Sequence, residues 1–338
     1  MLLESVKKPL IRKNSNGKKE ECGSITKEFV RVNGAKQGMI IETTNEEHPV
    51  LLFLHGFGFP AYPIIKANDV QLENYFTVCY WEQRGAGISY QAENSKELIK
   101  IEDAVDDVIE VANYLRGKYA QSKIYLLGHS WGTYIGSLVA KKAPELFHAY
   151  IGVGQIGSAK ESEKEAYDFI LQTATARQDK KALKEINKFP FNDLYYENRK
   201  YGSVRMKYLE KFGGGTTRKG YSNFQLLQAI MSCPMYSFTE KGNFFRGLEY
   251  TSRSFLSVMA TTDLVELVPN IDIRVFIMHG KNDYTTSYNQ AKRFYNALNC
   301  PSKKMFTFQN SAHTPYIEEK EKFYKLIKNE ILKETTNL

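Results

Sequence analysis

The sequence lacks the patterns that mark most zinc, redox and nucleotide-binding proteins. Its four cysteines, Cys22, Cys79, Cys233 and Cys300, are scattered and form no CxxC pair, so neither a zinc site nor a dithiol redox motif is indicated. P-loop, HExxH and calcium-loop patterns do not occur either. We therefore expect free thiols, no metal and no organic cofactor.

Long apolar runs and a secretory leader are also missing. No apolar stretch approaches the roughly 18–20 residues that cross a bilayer. The basic residues 1–21 contain no apolar core and no small-residue cleavage site. With 42% hydrophobic and 25% charged residues in 338, the composition is typical of a soluble globular protein. We expect a cytoplasmic location.

The net charge of +8 is not gathered in one stretch of the chain. Lysines are interleaved with acidic residues, and the densest cluster, Lys7–Lys19, lies near the N-terminus. Because dispersed charge is typical of a solvated surface, we expect neither a nucleic acid nor a membrane as a partner. The expected partner is a small molecule or short peptide, and composition leaves the oligomeric state undetermined.

The order of strand and helix patterns predicts an α/β fold. An Asn33-Gly34 turn joins two early strands, 25–32 and 39–43, as in a hairpin. Helical spacing of apolar residues alternates with later strands, which predicts a mostly parallel central sheet flanked by helices. The short apolar runs typical of buried parallel strands are Val50–Leu54, Phe76–Trp81, Lys123–Leu127, Ala149–Val153, Arg274–Met278 and Lys304–Phe308.

One long interval interrupts this alternation. Residues 156–268 are rich in Lys, Glu, Tyr and Phe, and they contain no run typical of a buried strand. The pattern predicts several helices inserted between two parts of one sheet domain. Residues 1–23 precede the first strand as an N-terminal arm, and a docked arm and a disordered tail fit them equally well.

The segment Gly128–Gly132 contains the most informative motif. It reads G-x-S-x-G and lies between a predicted strand and a predicted helix. A serine in this context occupies a sharp turn that lifts its hydroxyl clear of the sheet. We expect Ser130 to be a nucleophile and the backbone N–H of Trp131 to stabilise an oxyanion.

Two further residues complete a catalytic set. Of the six histidines, only His313 follows the last predicted strand in a polar loop, where a general base is expected. Asp283 follows the penultimate strand and would orient the imidazole. Asp272 is the competing acid, but it precedes that strand and therefore belongs to the opposite end of the sheet.

A second oxyanion donor is expected after the strand 50–54. The segment His55–Gly58 ends that strand abruptly and contains two glycines. We assign the donor to the backbone N–H of Phe57.

Taken together, these segments resemble the α/β-hydrolase superfamily over residues 24–332. Tyr80–Ser89, which reads YWEQRGAGIS, is similar to the Trp-Asp-Gln-Arg-Gly segment of the proline iminopeptidase group (prolyl aminopeptidase, peptidase family S33). Gly128–Gly132 matches that group's Gly-x-Ser-Trp-Gly elbow. The resemblance implies the order Ser130, Asp283, His313 and a helical cap, 156–268, over a core formed by 24–155 and 269–338.

The resemblance also implies an activity, the release of an N-terminal residue, often proline, from small peptides. Acidic side chains, partly from the cap, bind the free amine of the substrate in this group. Glu240 and Glu249 are the candidates here, and an exposed helical glutamate without such a role is the alternative for each. Glu82 and Arg84 would form an ion-paired loop beneath the site. The chain departs from the group's His-Gly-Gly-Pro-Gly loop at Phe57, which places a large ring beside the site.

Other interpretations follow from the same residues. Gly152–Gly157 fits the dinucleotide pattern G-x-G-x-x-G, but it leads into the insertion instead of a compact βαβ unit. Besides an aminopeptidase, the sequence is compatible with a carboxylesterase or a related hydrolase of small esters or amides. A non-catalytic binding protein on the same fold is the third possibility, against which the complete catalytic set argues.

Overall fold

The computed structural model describes residues 1–13 and 16–333. In these residues nine strands form one sheet in the order β1-β2-β3-β5-β4-β6-β7-β8-β9. The strands are β1 (Leu2–Lys13), β2 (Lys19–Val32), β3 (Ala35–Thr43), β4 (Val50–Leu54), β5 (Thr77–Trp81), β6 (Ile124–His129), β7 (Phe147–Val153), β8 (Arg274–Gly280) and β9 (Lys303–Phe308).

Most of the sheet is parallel, as the apolar runs predict. From β5 through β4, β6, β7 and β8 to β9, every neighbouring pair is parallel. The first three strands pair antiparallel with one another, and β3 joins β5 antiparallel. The predicted fold class, a mostly parallel sheet with flanking helices, is therefore confirmed.

Helices cover both faces of the sheet through two large groups of buried apolar side chains. The α-helices are α1 (Tyr62–Ala67), α2 (Ile101–Lys118), α3 (Trp131–Lys142), α4 (Ala159–Ala176), α5 (Lys180–Ile186), α6 (Arg199–Phe212), α7 (Asn223–Ser232), α8 (Phe238–Thr261), α9 (Leu264–Leu267), α10 (Tyr288–Ala297), α11 (Pro315–Glu318) and α12 (Lys320–Leu326). Short 3₁₀ turns occur at Leu72–Asn74, Gly87–Ser89, Ala92–Lys96, Pro144–Leu146 and Tyr195–Glu197, and a π-helical turn, Ile327–Leu332, ends the described chain.

The N-terminal segment forms an additional edge strand. β1 pairs antiparallel with β2 from Leu2 opposite Val30 onwards. Near its end, Arg12 contacts the buried carboxylate of Glu73 and donates to Asn74 Oδ1 at 2.8 Å. Most side chains of β1 are exposed, so the alternation of apolar and polar residues that identifies a half-buried strand is missing.

The insertion between β7 and β8 consists of helices joined by loops. Helices α4, α5 and α6 enclose a small core of their own, whereas α7 and α8 contribute side chains to the cores of the sheet domain. Ser158 caps α4 by accepting the N–H of Glu161, and Ser237 caps α8 by accepting the N–H of Glu240. The insertion therefore contains two parts that differ in how they are supported.

A buried carboxyl group joins the residues just before α8 to the sheet domain. Glu82 is 1% exposed and accepts hydrogen bonds from Tyr236 Oη and from the N–H of Ile88. Of the predicted ion-paired loop, Arg84 has a charged partner, since it binds Asp107 of α2 through two 2.7 Å hydrogen bonds, whereas Glu82 does not pair with Arg84. Burial raises the pKa of Glu82 to about 8, against the opposing effect of its hydrogen bonds.

The raised pKa of Glu82 predicts a pH-dependent stability. The folded protein holds this proton more tightly than the unfolded chain, so the contribution is complete below about pH 4.5 and is lost as the pH rises toward 8. We expect the free energy of unfolding to fall by at least ~1 kcal/mol between pH 6 and pH 8 in the wild type. Glu82→Gln, which keeps the shape, should remove most of this fall in urea denaturation.

The matched control for this measurement is the exposed carboxylate of Glu249. Glu249→Gln should leave the difference between the two pH values as it is in the wild type. An equal fall in the wild type and in Glu82→Gln would contradict the assignment.

Candidate functional site

Ser130 occupies a strained turn between β6 and α3. Its φ of 55° and ψ of −119° lie outside the regions that L-residues favour, and its N–H donates to Val153 O at 2.9 Å. The two flanking glycines permit this turn. A Cβ on Gly128 would lie 2.3 Å from Gly132 O, and one on Gly132 would lie 2.1 Å from Leu54 O. The turn thus matches the predicted serine elbow.

The loop after β4 lies against this turn. An ideal Cβ on Gly56 would lie 3.5 Å from the Cβ of Ser130. Among the described residues, nothing accepts a hydrogen bond from the backbone N–H of Phe57 or of Trp131. Both groups are therefore available as the oxyanion donors that the sequence predicts.

Gln83 connects the two elements that carry these donors. Its Nε2 donates to His55 O at 3.0 Å, and its Oε1 accepts from Trp131 Nε1 at 3.0 Å. Its N–H donates to His55 Nε2 at 3.1 Å, while His55 Nδ1 donates to Gly56 O at 2.6 Å. Burial lowers the pKa of His55 to about 4, so this histidine is neutral and acts as a structural link.

Asp283 and His313 form a buried hydrogen-bonded pair. His313 Nδ1 donates to Asp283 Oδ2 at 2.8 Å, and Asp283 Oδ1 accepts the N–H groups of Thr285 at 2.8 Å and Thr286 at 3.0 Å. Burial raises the pKa of Asp283, but His313 and His279 outweigh it, so the pKa lies well below the usual range. Asp283 is therefore an ionised acceptor that fixes the orientation of His313.

His313 has one ring nitrogen free for chemistry. No described residue is hydrogen bonded to His313 Nε2 or to Ser130 Oγ. The backbone of Gly154 lies beside the ring, because a Cβ there would be 2.9 Å from His313 Cε1. The carbonyl of the preceding residue, Val153, accepts the N–H of Ser130, so one strand end borders both residues. The close approach to His313 accounts for the glycine at position 154, so this part of the G-x-G-x-x-G pattern does not require a bound dinucleotide.

His129, next to Ser130, packs against His313. Their ring centroids are 4.7 Å apart, and His129 Nε2 lies 3.2 Å from His313 O. Tyr316 Oη is 3.3 Å from His129 Nδ1. Burial and the neighbouring His313 lower the pKa of His129 to about 3, so this residue adds no charge to the site.

Two residues to which the sequence analysis assigned no role also reach Asp283. His279 Nε2 lies 3.2 Å, and Thr286 Oγ1 lies 3.0 Å, from Asp283 Oδ2. For His279 the sequence offers only its position, near the end of β8 and four residues before Asp283, as an indication of this contact. It could not show that the ring turns toward the carboxylate.

The insertion supports both loops of the Asp283–His313 pair through backbone carbonyls. Gly214 O accepts the N–H of Tyr284 at 3.0 Å, and Gly215 O accepts the N–H of His313 at 3.2 Å. The next carbonyl, of Thr216, accepts from Thr314 Oγ1 at 2.7 Å. We call residues 213–217 the glycine loop. Because its contacts use carbonyl groups, the sequence pattern contained no side-chain signal for it.

Aromatic rings surround the two expected oxyanion donors. Trp131 packs edge-on against Phe57 at 5.5 Å and stacks on Phe255 of α8 at 4.8 Å. Helix α8 also approaches the loop after β4, since a Cβ on Gly58 would lie 2.5 Å from Thr251 Oγ1. The surroundings of the two oxyanion donors are therefore mainly apolar.

The two acidic residues expected to bind a substrate amine have other partners. Both oxygens of Glu240 lie 2.7 Å from Lys27 Nζ, and Oε2 also accepts the N–H of Ser237 at 2.7 Å. Glu249 is exposed and lies 3.9 Å from Arg199. These contacts give the expectation no support.

Across residues 1–13 and 16–333, no three His, Cys, Asp or Glu side chains come together as a group that could hold a metal ion. None of the helices within those ranges is long and apolar enough to cross a bilayer.

Comparisons with known proteins agree with this architecture. A family model described as the alpha/beta hydrolase fold matches residues 49–194. The probable aminopeptidase YbaC of Bacillus subtilis (strain 168) is 30% identical over 291 residues, which cover 85% of this chain and 90% of that protein. Proline iminopeptidase of Clostridioides difficile (strain 630) is 24% identical over 306 residues, which cover 90% and 97%.

A solved structure shows the same fold at lower identity. The proline iminopeptidase-related protein TTHA1809 from Thermus thermophilus superposes with a TM-score of 0.60 at 17% identity, covering 89% of this chain and 96% of that one. The resemblance inferred from the motifs is confirmed by these relatives. The chain belongs to the α/β-hydrolase superfamily.

Proposed function

We propose that this α/β hydrolase is a serine aminopeptidase that releases an N-terminal proline or another apolar residue from small peptides. The observation that carries the proposal is the buried pair formed by Asp283 and His313, whose free Nε2 belongs to the same sheet edge as the strained Ser130. Such a pair can accept and return one proton, which is what acyl transfer through a serine requires.

The first half of the reaction forms an acyl-enzyme. His313 Nε2 takes the proton of Ser130 Oγ as that oxygen attacks the carbonyl carbon of the substrate. Negative charge develops on the carbonyl oxygen, and the N–H groups of Phe57 and Trp131 stabilise it. Collapse of this intermediate breaks the C–N bond, and the imidazolium of His313 gives its proton to the leaving amine.

The second half hydrolyses the acyl-enzyme. Water enters, loses a proton to His313 and attacks the acyl carbon, after which Ser130 recovers its proton. Ionised Asp283 balances the positive charge on His313 in both halves. The serine–histidine hydrogen bond is not formed in this structure, and such bonds are often long before a substrate binds.

The substrate assignment rests on the relatives and on the apolar surroundings of the site. The relatives in B. subtilis and C. difficile are named as a probable aminopeptidase and a proline iminopeptidase. The partly exposed ring of Phe57, which packs edge-on against the buried Trp131, favours an apolar residue next to the reacting carbonyl. Because Glu240 already binds Lys27, ester hydrolysis without amine recognition is the alternative.

A fluorophosphonate probe tests the nucleophile. We expect the wild type to be labelled covalently, since the probe requires an activated serine and an oxyanion site. Ser130→Ala should lose labelling completely, as measured by in-gel fluorescence and intact-protein mass. Ser137→Ala, a buried helical serine in α3, is the control and should be labelled like the wild type. Labelling that persists in Ser130→Ala would refute the proposed nucleophile.

The substrate class is tested with three chromogenic compounds. Proline naphthylamide, its N-acetylated form and a p-nitrophenyl ester are compared by kcat/KM. We expect the free amine to be preferred over the acetylated form by at least about tenfold, equivalent to ~1.4 kcal/mol of transition-state binding. Rapid ester turnover with no preference for the amine would instead identify an esterase, while leaving the role of Ser130 intact.

A further inference from the structure

We propose that His279 is a positioning residue for this reaction, one that clamps the turn carrying Asp283 and directs the carboxylate toward His313. The inference deepens the proposed function and depends on it. His279 is completely buried at the end of β8, and Nε2 contacts two acceptors of one turn. These are Thr286 O at 2.8 Å and Asp283 Oδ2 at 3.2 Å.

Hydrogen bonding fixes the tautomer of His279. The backbone N–H of Gln155 points at Nδ1 from a distance of 3.1 Å, and an amide N–H can only donate. Nδ1 must therefore be the acceptor, and the ring proton is on Nε2. Because both nearby atoms at Nε2 are oxygens that accept, the ring is a neutral donor shared between the two ends of the turn.

The same contacts exclude His279 as the general base. Both of its nitrogens are occupied and none of its surface is exposed, whereas His313 has a free Nε2. The two histidines nevertheless meet the same oxygen, since His313 Nδ1 and His279 Nε2 both approach Asp283 Oδ2. The carboxylate therefore lies between two donors, with His313 on the side of the reacting groups and His279 on the side of the core.

The hydrogen bonds of His279 affect both the orientation of Asp283 and its strength as a hydrogen-bond acceptor. Gln155, which holds His279, follows directly on Gly154, the residue that borders the ring of His313. The imidazole of His279 thus joins the end of β7, the turn after β8 and, through Asp283, the base His313. A donor on Asp283 Oδ2 also withdraws electron density from the carboxylate, which makes it a weaker acceptor for the His313 proton. Removing the donor should therefore strengthen the hydrogen bond that the carboxylate accepts from His313.

Several other groups face these rings and are kept constant in the test. Asp283 and His129 contact His313, and Tyr316 in turn contacts His129. Tyr288 packs edge-on against His279 at 6.0 Å, and Thr286 Oγ1 lies 3.3 Å from His313 Nδ1. A variant of His279 should leave each of them in place.

The test compares two substitutions of similar size by the pH dependence of fluorophosphonate labelling, which needs no knowledge of the natural substrate. His279→Asn keeps an acceptor near the position of Nδ1 but has no donor near that of Nε2. His279→Gln can present its amide N–H near Nε2. We expect the rate of labelling to fall about tenfold in His279→Asn and less than about threefold in His279→Gln.

The pH profile separates positioning from a merely structural role. In His279→Asn the acid limb of the rate should move upward by about half a pH unit, whereas in His279→Gln it should stay near the wild-type value. If His279→Asn matches the wild type in rate and in acid limb, the inference is overturned. Equal losses in both variants with an unmoved acid limb would also overturn it. Absence of labelling in the wild type would contradict the proposed function instead.

A measurement on the wild type covers the case in which His279→Asn does not fold. In ¹⁵N-histidine NMR spectra, His279 should show the tautomer with the proton on Nε2. A proton on Nδ1 would overturn the inference.

Discussion

A buried carboxylate surrounded by donors is the constraint on which the site depends. Asp283 is 1% exposed, and an ionised group at such a position must be compensated by hydrogen bonds and opposite charge. The chain supplies two backbone N–H groups, a hydroxyl and two imidazoles around its two oxygens. These donors come from the turn itself, from β8 and from the last loop, so the orientation of His313 is tied to the ends of two neighbouring strands.

Local patterns in the sequence predicted the elements of this site because its geometry follows from the order of strands. Parallel strands place their carboxyl ends at one edge, so residues that follow β6, β8 and β9 come together there. That order predicts the places of Asp283 and His313, and the G-x-S-x-G motif predicts that of Ser130. Asp283 and His313 form the expected buried pair, and their catalytic roles belong to the proposed function.

What the sequence could not predict depends on side-chain direction and on backbone groups. The sequence assigns no role to His279, because its position before Gly280 indicates a strand end but not the direction of the ring. Glu82 and Arg84 are close in sequence, yet one contacts Tyr236 and the other Asp107, because they leave the loop in different directions. β1 gave no signal, since pairing by backbone hydrogen bonds places few constraints on exposed side chains.

The glycine loop has a consequence for how such enzymes can diverge. It holds the loops of Asp283 and His313 through carbonyl oxygens, and every residue type provides that group. Selection acting through these contacts therefore preserves a backbone path and leaves most neighbouring side chains free to change. Residues around the substrate can then change during evolution while Asp283 and His313 keep their relative positions. The three glycines are exceptions, because a Cβ would lie 2.7 Å from Arg218 O on Gly213, 2.8 Å from the ring of Phe169 on Gly214 and 2.6 Å from the carboxylate of Glu210 on Gly215.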